Sequence, residues 1–328
     1  MKDKKCVLIL PYFGNFNNYF PLFLRSCGEN PDFDWLIFTD CQKQYNYPNN
    51  VRRIMMTLEQ VKETAERKFG FSVCLNSAYK LCDYKPAYGV LFEEYIGEYK
   101  YWGHCDCDLI FGKMSKFLDE LFEDGYDKIF AAGHLTLYKN DYDNNRRFMK
   151  EYKGRFIYRE AFTTDLIYVL DEDMKDNNVH RIFLADGASV YQTDLSMNPS
   201  PQFARFRRAY YNPEMCCFSY EAVKNARYYW NDGRIIEYNY IDGIIKKTEY
   251  IYMHFQLRKM RVGKNVLTSK YFEILPDRFT KSSGIPKDKK EMRLWSIKFT
   301  YLRKFDIWEK KIRNKMDYVV KKVKQRIN

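Results

Sequence analysis

Short apolar runs alternate with helical spacings along the first 140 residues. Val7-Leu8-Ile9-Leu10, closed by Pro11, and Trp35-Leu36-Ile37-Phe38-Thr39, closed by Asp40, are β-prone and continuously apolar, as strands buried on both faces are. Between them Tyr19, Phe20, Phe23, Leu24 and Cys27 follow a helical spacing, which predicts a helix over 17–27 stopped by Gly28 and Pro31. Strand, helix and strand in this order make a βαβ unit. It sets the loop Pro11–Asn15 at the carboxyl end of the first strand, the edge where open α/β sheets bind ligands.

The same reading predicts helices over 58–68, 73–81 and 87–95, the last opened by Asp83-Tyr84-Lys85-Pro86. Proline suits a first helical turn, where its missing N–H is not needed. An apolar run over 99–103 leads into Asp106-Cys107-Asp108, followed by Leu109-Ile110-Phe111, a helix over 114–122 and strands over 129–132 and 135–138. From 140 to 213 the periodicity dissolves into polar and aromatic loop, with Asn198-Pro199-Ser200-Pro201 the clearest break. A turn at Trp230-Asn231-Asp232-Gly233-Arg234 joins two strand-like runs, and Tyr250-Ile251-Tyr252-Met253 is a strand ending at His254. Strands alternating with helices predict the α/β class.

Composition adds a division of the chain. The formal net charge is +12, and residues 287–328 hold fifteen Lys/Arg against five Asp/Glu, so the preceding 286 residues are close to neutral. Trp295, Phe299, Leu302, Phe305, Trp308 and Ile312 recur there at helical spacing among the basic residues. The expected organisation is therefore a catalytic domain over 1–286 and a basic amphipathic helical tail over 287–328. A basic helix with an aromatic apolar face suits the surface of a membrane, though the same stripe could pack on the body or on a second copy as a homodimer. Nine scattered cysteines, mostly in apolar stretches, read as reduced thiols. The apolar run after the basic N-terminus is too short for a signal peptide. The expectation is a cytoplasmic protein held peripherally to the inner face of the membrane.

Four Asp-x-Asp pairs occur, at 32/34, 106/108, 141/143 and 171/173. The first and third sit in polar turns, and the fourth runs into Met174-Lys175-Asp176-Asn177-Asn178, which reads as a solvated acidic turn. Asp106 and Asp108 alone are enclosed by apolar residues on both sides, where two carboxylates are costly unless a cation neutralises them. A hard divalent cation, Mn²⁺ or Mg²⁺, held by such a pair can bridge the phosphates of a nucleotide diphosphate and stabilise it as a leaving group.

Several segments together carry a resemblance. Leu10-Pro11-Tyr12-Phe13-Gly14, Ile37-Phe38-Thr39-Asp40, Cys82-Asp83-Tyr84-Lys85-Pro86, Trp102-Gly103-His104-Cys105-Asp106-Cys107-Asp108, Gly133-His134-Leu135 and Tyr252-Met253-His254-Phe255-Gln256 resemble a bacterial family of GT-A-like glycosyltransferases from capsule and exopolysaccharide clusters. The resemblance implies a Rossmann-type mixed sheet flanked by helices, a nucleotide-sugar donor, a UDP-sugar foremost, and a glycan or lipid-linked acceptor. It implies a nucleotide pocket at Pro11, Tyr12, Phe13 and Asp40, and contacts from Asp83 and Lys85 to the ribose or donor sugar. His254 would be the third metal ligand beside Asp106 and Asp108, with Arg258 and Lys259 near the departing diphosphate. His134 and Asp165 are the candidates to face the acceptor.

Two other classes fit worse. The basic aromatic tail invites a nucleic-acid reading, but the charge is confined to one region and no nucleic-acid motif accompanies it. A metal-dependent phosphohydrolase would call for a richer His/Asp cluster than four scattered histidines.

Overall fold

Each residue of β1 (Cys6–Pro11) and β2 (Phe33–Thr39) is buried, as their unbroken apolar character requires of strands covered on both sides. In this computed structural model, which describes residues 5–222, 226–256, 258–282, 284–292, 304–305, 307–312 and 315, these strands belong to a seven-stranded mixed sheet. The chain passes from β1 through α1 (Phe20–Gly28) to β2, β3 (Val51–Met55) and α2 (Leu58–Phe69), then through the short helices α3 (Leu81–Tyr84) and α4 (Tyr88–Leu91) to β4 (Tyr101–Cys105). After β5 (Leu109–Phe111) come α5 (Ser115–Asp124), β6 (Lys128–Ile129), β7 (Leu135–Lys139), α6 (Tyr142–Arg146), α7 (Ile157–Phe162), α8 (Val179–Ala185) and β8 (Val190–Tyr191).

The strand order is β3-β2-β1-β4-β7-β6-β8. β1 pairs in parallel with both β2 and β4, whereas β7 runs antiparallel to both β4 and β6. The chain therefore works outward from β1 on one side and resumes at β4 on the other. The order reverses between β1 and β4, and a reversal of this kind opens a crevice at the carboxyl ends of the two strands.

Side chains alternate between two cores. Val7, Ile9, Leu36 and Phe38 pack with α2, α4 and α7 on one face, and Cys6, Leu8, Trp35 and Ile37 pack with α1 and α5 on the other. The expected α/β class, a mixed sheet flanked by helices, is the observed one. α2 begins with a capping box, Thr57 accepting from the Gln60 N–H and Gln60 accepting from the Thr57 N–H, and ends at Gly70 in the left-handed region (φ 73°).

Two predicted helices are corrected. Residues 73–77 are not helical, because Val73 and Leu75, two apart, both enter the core while the Cys74 N–H donates to the Phe162 carbonyl at 2.6 Å. The helix expected over 87–95 is broken into α4 and 3-10 turns at Lys85–Ala87 and Glu93–Tyr95. Gly89 lies so close to Trp102 that an added Cβ would sit 2.4 Å from the indole.

The stretch read as loop is also more ordered than expected, holding α6, α7, α8, β9 (Asn198–Pro199) and β10 (Arg207–Asn212). β10 pairs with β9 and with β11 (Cys217–Ala222). Beyond it stands a second, six-stranded sheet ordered β14-β13-β12-β17-β18-β16, built from β12 (Ala226–Asn231), β13 (Arg234–Ile241), β14 (Ile244–Tyr250), β16 (Arg261–Val262), β17 (Tyr271–Leu275) and β18 (Arg278–Lys281). The predicted turn joins β12 to β13, with Asp232 and Gly233 both at positive φ, 48° and 77°, the twist a two-residue hairpin loop needs. Between β14 and β16 lies β15 (Tyr252–His254).

Most of the predicted tail lies outside the described residues. Residues 289–292, 304–305 and 307–312 are helical, and Phe305 and Trp308 are exposed with their rings 6.0 Å apart. No helix among the described residues is long and apolar enough to cross a membrane.

Candidate active site

The turn Asp106-Cys107-Asp108 follows the last residue of β4, at the switch-point crevice. The Asp106 N–H donates to the His134 carbonyl at 3.1 Å, which fixes the start of the turn. β5 then leaves the central sheet and pairs antiparallel with β15, setting His254 opposite Leu109, and the Phe255 N–H donates to the Asp108 carbonyl at 2.9 Å. This ladder delivers His254 to the aspartates. Its Nε2 lies 3.2 Å from Asp108 Oδ1 and 3.8 Å from Asp106 Oδ2.

Asp106, Asp108 and His254 each offer one ligand atom, all within 4.8 Å of one another, and could hold a metal ion. Adjacent ligands of an octahedral ion with bonds near 2.1 Å are about 3 Å apart, so the two histidine–carboxylate spacings fit neighbouring positions. The second contact of the imidazole supports the fit. His254 Nδ1 lies 3.1 Å from Asn198 Oδ1, which can only accept, so Nδ1 carries the proton and Nε2 faces the carboxylates. The Asn198 amide N–H reaches His134 Nε2 at 3.3 Å, and His134 Nδ1 in turn lies 2.6 Å from the Tyr252 hydroxyl. Burial, together with the neighbouring His254, holds the His134 imidazole well below its usual range, so it is neutral.

Lys85 closes the other side of the group. Its Nζ lies 2.8 Å from Asp106 Oδ1, 2.9 Å from Asp171 Oδ2 and 2.9 Å from the Gly133 carbonyl. Burial opposes the charge on Lys85, yet the two carboxylates outweigh it and raise its pKa well above the ordinary lysine range. Burial also opposes ionisation of Asp106, but Lys85 and His254 prevail and hold that carboxyl down to about 2. Asp171 is balanced the other way. Its burial exceeds what Lys85 returns, so its pKa is raised.

Asp171 and Asp173, read from sequence as a solvated acidic turn, are only 5% and 2% exposed. Lys85, distant in sequence, neutralises Asp171, while Arg181, eight residues on, pairs with Asp173, which also accepts from the Tyr211 hydroxyl. Glu172 beside them has its carboxyl raised to about 7 by burial and by Asp171. Asp171, Glu172 and Asn198 are the residues sequence reasoning missed. The apolar run 166–170 ahead of Asp171 was the available signal.

The remaining candidates divide. At the end of β1, the Tyr12 ring stacks on Phe16 with centroids 4.6 Å apart, and burial with nearby Cys107 and Asp108 raises its phenol to about 12. The Asp40 carboxylate accepts the Gly14 N–H at 2.8 Å, which ties the Pro11–Asn15 loop to the end of β2. Pro11 is buried and Phe13 half-buried in this segment. Asp83 is fully enclosed and already engaged, by Lys80 Nζ at 2.8 Å and by the N–H groups of Tyr168 and Leu170 at 3.0 Å each. It holds the loop that carries Asp171. The Arg258 guanidinium is buried, donating to the carbonyls of Ser200 at 2.6 Å and Pro276 at 3.2 Å, while Lys259 is exposed. Asp165 is exposed and accepts from Asn76 at 2.8 Å.

Gly133 is where this arrangement is tightest. A Cβ there would lie 2.4 Å from Asp171 Oδ2 and 2.8 Å from its Cγ. Gly133→Ala should lower stability by about 1–3 kcal/mol, the usual cost of overpacking, read from the urea midpoint. An unchanged midpoint would mean that the carboxylate can move aside freely.

Residues 8–283 match the profile of DUF6625, described as a family of unknown function. The chain belongs to the DUF6625 family. No curated protein matches this DUF6625 chain. Among solved structures it is similar to the galactosyltransferase LgtC in complex with donor and acceptor sugar analogs, at 9% identity and a TM-score of 0.33, over 60% of this chain and 76% of that one. An active-site mutant of LgtC matches over the same shares of the two chains, at 10% identity and a TM-score of 0.33. At such scores the fold of the DUF6625 chain rests on its own strand order and register.

Proposed function

We propose that this DUF6625 chain is a metal-dependent glycosyltransferase of the GT-A kind, moving a sugar from a nucleotide-sugar donor, a UDP-sugar foremost, to a glycan or lipid-linked acceptor of cell-surface polysaccharide. The observation that carries the reading is the convergence of Asp106, Asp108 and His254 at the crevice between β1 and β4. Two carboxylates and one imidazole suit Mn²⁺ better than Mg²⁺, which prefers oxygen alone. Such a cation, when bound, supplies charge stabilisation to the diphosphate leaving group.

The chain's own residues do the positioning. Asn198 holds His254 with Nε2 toward the ligand site. Lys85, shared between Asp106 and Asp171, fixes the Asp106 carboxylate and keeps a positive charge beside the space where donor phosphates would lie. Tyr12 and Phe13 wall the nucleotide side, with the loop held by Asp40. His134, kept neutral and oriented by Tyr252 and Asn198, stands nearest the metal group of the acceptor-facing candidates, its ring centroid 4.5 Å from that of His254. Asp165 lies at the more exposed end of the same loop as Asp171.

A thermal-shift panel of UDP- and GDP-sugars with and without Mn²⁺ tests the reading, because a ligand that binds the folded state raises its apparent stability. The expected result is a rise of several degrees that needs both a nucleotide and the cation. A panel with no cation-dependent shift would remove the proposal.

The tail belongs to this reading as a peripheral anchor at the inner face of the cell membrane, supported by the exposed Phe305 and Trp308 amid basic residues. Removing residues 290–328 should release the protein from anionic vesicles in a flotation assay. Unchanged flotation of the shortened chain would discard the anchor.

A further inference from the structure

A second concavity, of about 360 Å³, lies where β13 and β14 of the six-stranded sheet meet β10, β11 and the segment Asp194–Leu195. No part of the metal group lines it. Its volume is within the range of small-molecule sites, roughly 300–1,000 Å³, but its lining is unusually polar.

Charge decides what the groove can take. Acidic side chains outnumber basic ones along it, and most are already engaged. Tyr250 donates to Glu237 at 2.7 Å, Arg208 stands 3.8 Å from Glu221, and Glu249 pairs with Lys116 at 2.9 Å. There is no positive excess to bind a phosphate, so a nucleotide is a poor occupant. The groups left over are the exposed Thr248 hydroxyl and Lys246 ammonium, beside the Asn239 amide, whose Oδ1 is buried and has no partner among the described residues. Donors and acceptors are thus interleaved, beside the apolar surface of Ile241 and the Tyr250 ring. A hydroxyl both donates and accepts, and a pyranose presents hydroxyl edges with apolar C–H faces.

Two stretches of backbone connect this groove to the metal group. Tyr250 lines the groove and His254 is four residues further on, about 13 Å along an extended chain. Beside it, Leu195 also lines the groove, and the chain runs from there to Asn198, which holds His254. The two stretches are tied by Ile251 N–H to Leu195 O at 3.1 Å and His254 N–H to Met197 O at 3.0 Å. We infer that this groove is a glycan-binding subsite, taking the sugars of an uncharged acceptor chain that lie behind the residue being extended. Its role as an acceptor site rests on the transferase reading, whereas the binding of glycan does not.

The experiment uses the full chain on an array of immobilised oligosaccharides, two to six residues long, some neutral and some sulfated or sialylated. Thr248→Arg, at an exposed position, fills the groove, and Asn239→Ala removes its free amide without adding bulk. The full chain should retain neutral oligosaccharides, and each variant should weaken that retention at least tenfold while keeping its native melting temperature and its Mn²⁺-dependent shift with UDP. The inference is overturned if no neutral oligosaccharide is retained, if only the anionic ones are, or if both variants bind like the parent. Groove-dependent retention without a cation-dependent shift from any UDP- or GDP-sugar of the panel would sink the transferase reading and leave the glycan site standing.

Discussion

Asp108→Asn should abolish the Mn²⁺-dependent stabilisation by UDP and cut sugar transfer by a hundredfold or more, with the melting temperature of the metal-free chain nearly unchanged. The amide keeps the size of the carboxylate but carries no charge, so one of the three proposed cation ligands becomes a weak one. Losing even an outer partner of a metal ligand typically costs about 10–100-fold, and a direct ligand should cost at least as much. The fold should tolerate the change because Asp108 is held by its backbone, its carbonyl accepting the Phe255 N–H at 2.9 Å. Burial opposes the charge on His254, and Asp108 is the first of the groups that overcome it and raise its pKa. The variant should therefore also titrate His254 at lower pH, visible by NMR in the metal-free protein. Undiminished turnover would remove Asp108 from the metal site.

Glu273→Ala should unfold the second sheet's core far more readily, by about 3–5 kcal/mol, the usual cost of removing one partner from a buried ion pair. Glu273 is fully buried and Arg227 nearly so, and they meet as a fork, Nε to Oε1 at 2.6 Å and Nη2 to Oε2 at 2.7 Å. The pair joins neighbouring strands β12 and β17. Removing the carboxylate takes both oxygens of the fork from an enclosed guanidinium, whereas replacing both residues by apolar ones of similar size removes the desolvation cost as well. Arg227→Met combined with Glu273→Leu should therefore recover most of the loss. The urea midpoints of parent, single and double variants read this directly, and a single variant within 1 kcal/mol of the parent would show that water reaches the pair.

Periodicity made the first half of the chain legible, since β1, β2 and α1 each bury what their apolar spacing says they should. Segment 73–77 misled because Val73 and Leu75 enter the same core two residues apart, a spacing shared by a strand and by a helix seen over too few residues. The six-stranded sheet was barely visible. In β14 the consecutive Lys246, Lys247 and Thr248 are all exposed, so no alternation of apolar and polar residues marks it as a strand. Among the four Asp-x-Asp pairs, apolar flanks set Asp106/Asp108 apart from the turn at Asp141, which caps α6 by accepting the Asn144 N–H. The same criterion failed for Asp171, whose acidic followers suggested solvent. What neutralises it is Lys85, far away in the chain, and such a partner leaves no local trace. Asn198 was hidden for a similar reason, inside an Asn-Pro-Ser-Pro stretch whose composition signals only a break.

The β5–β15 ladder also sets an order of events during synthesis. Asp106 and Asp108 leave the ribosome well before His254, and domains fold progressively from the N-terminal side. β14 leads directly into β15, so the imidazole arrives only as the second sheet forms. A nascent chain therefore exposes two carboxylates but not His254, and the proposed cation site cannot assemble until the second sheet has begun to form. Chains released before that point would lack the proposed cation site.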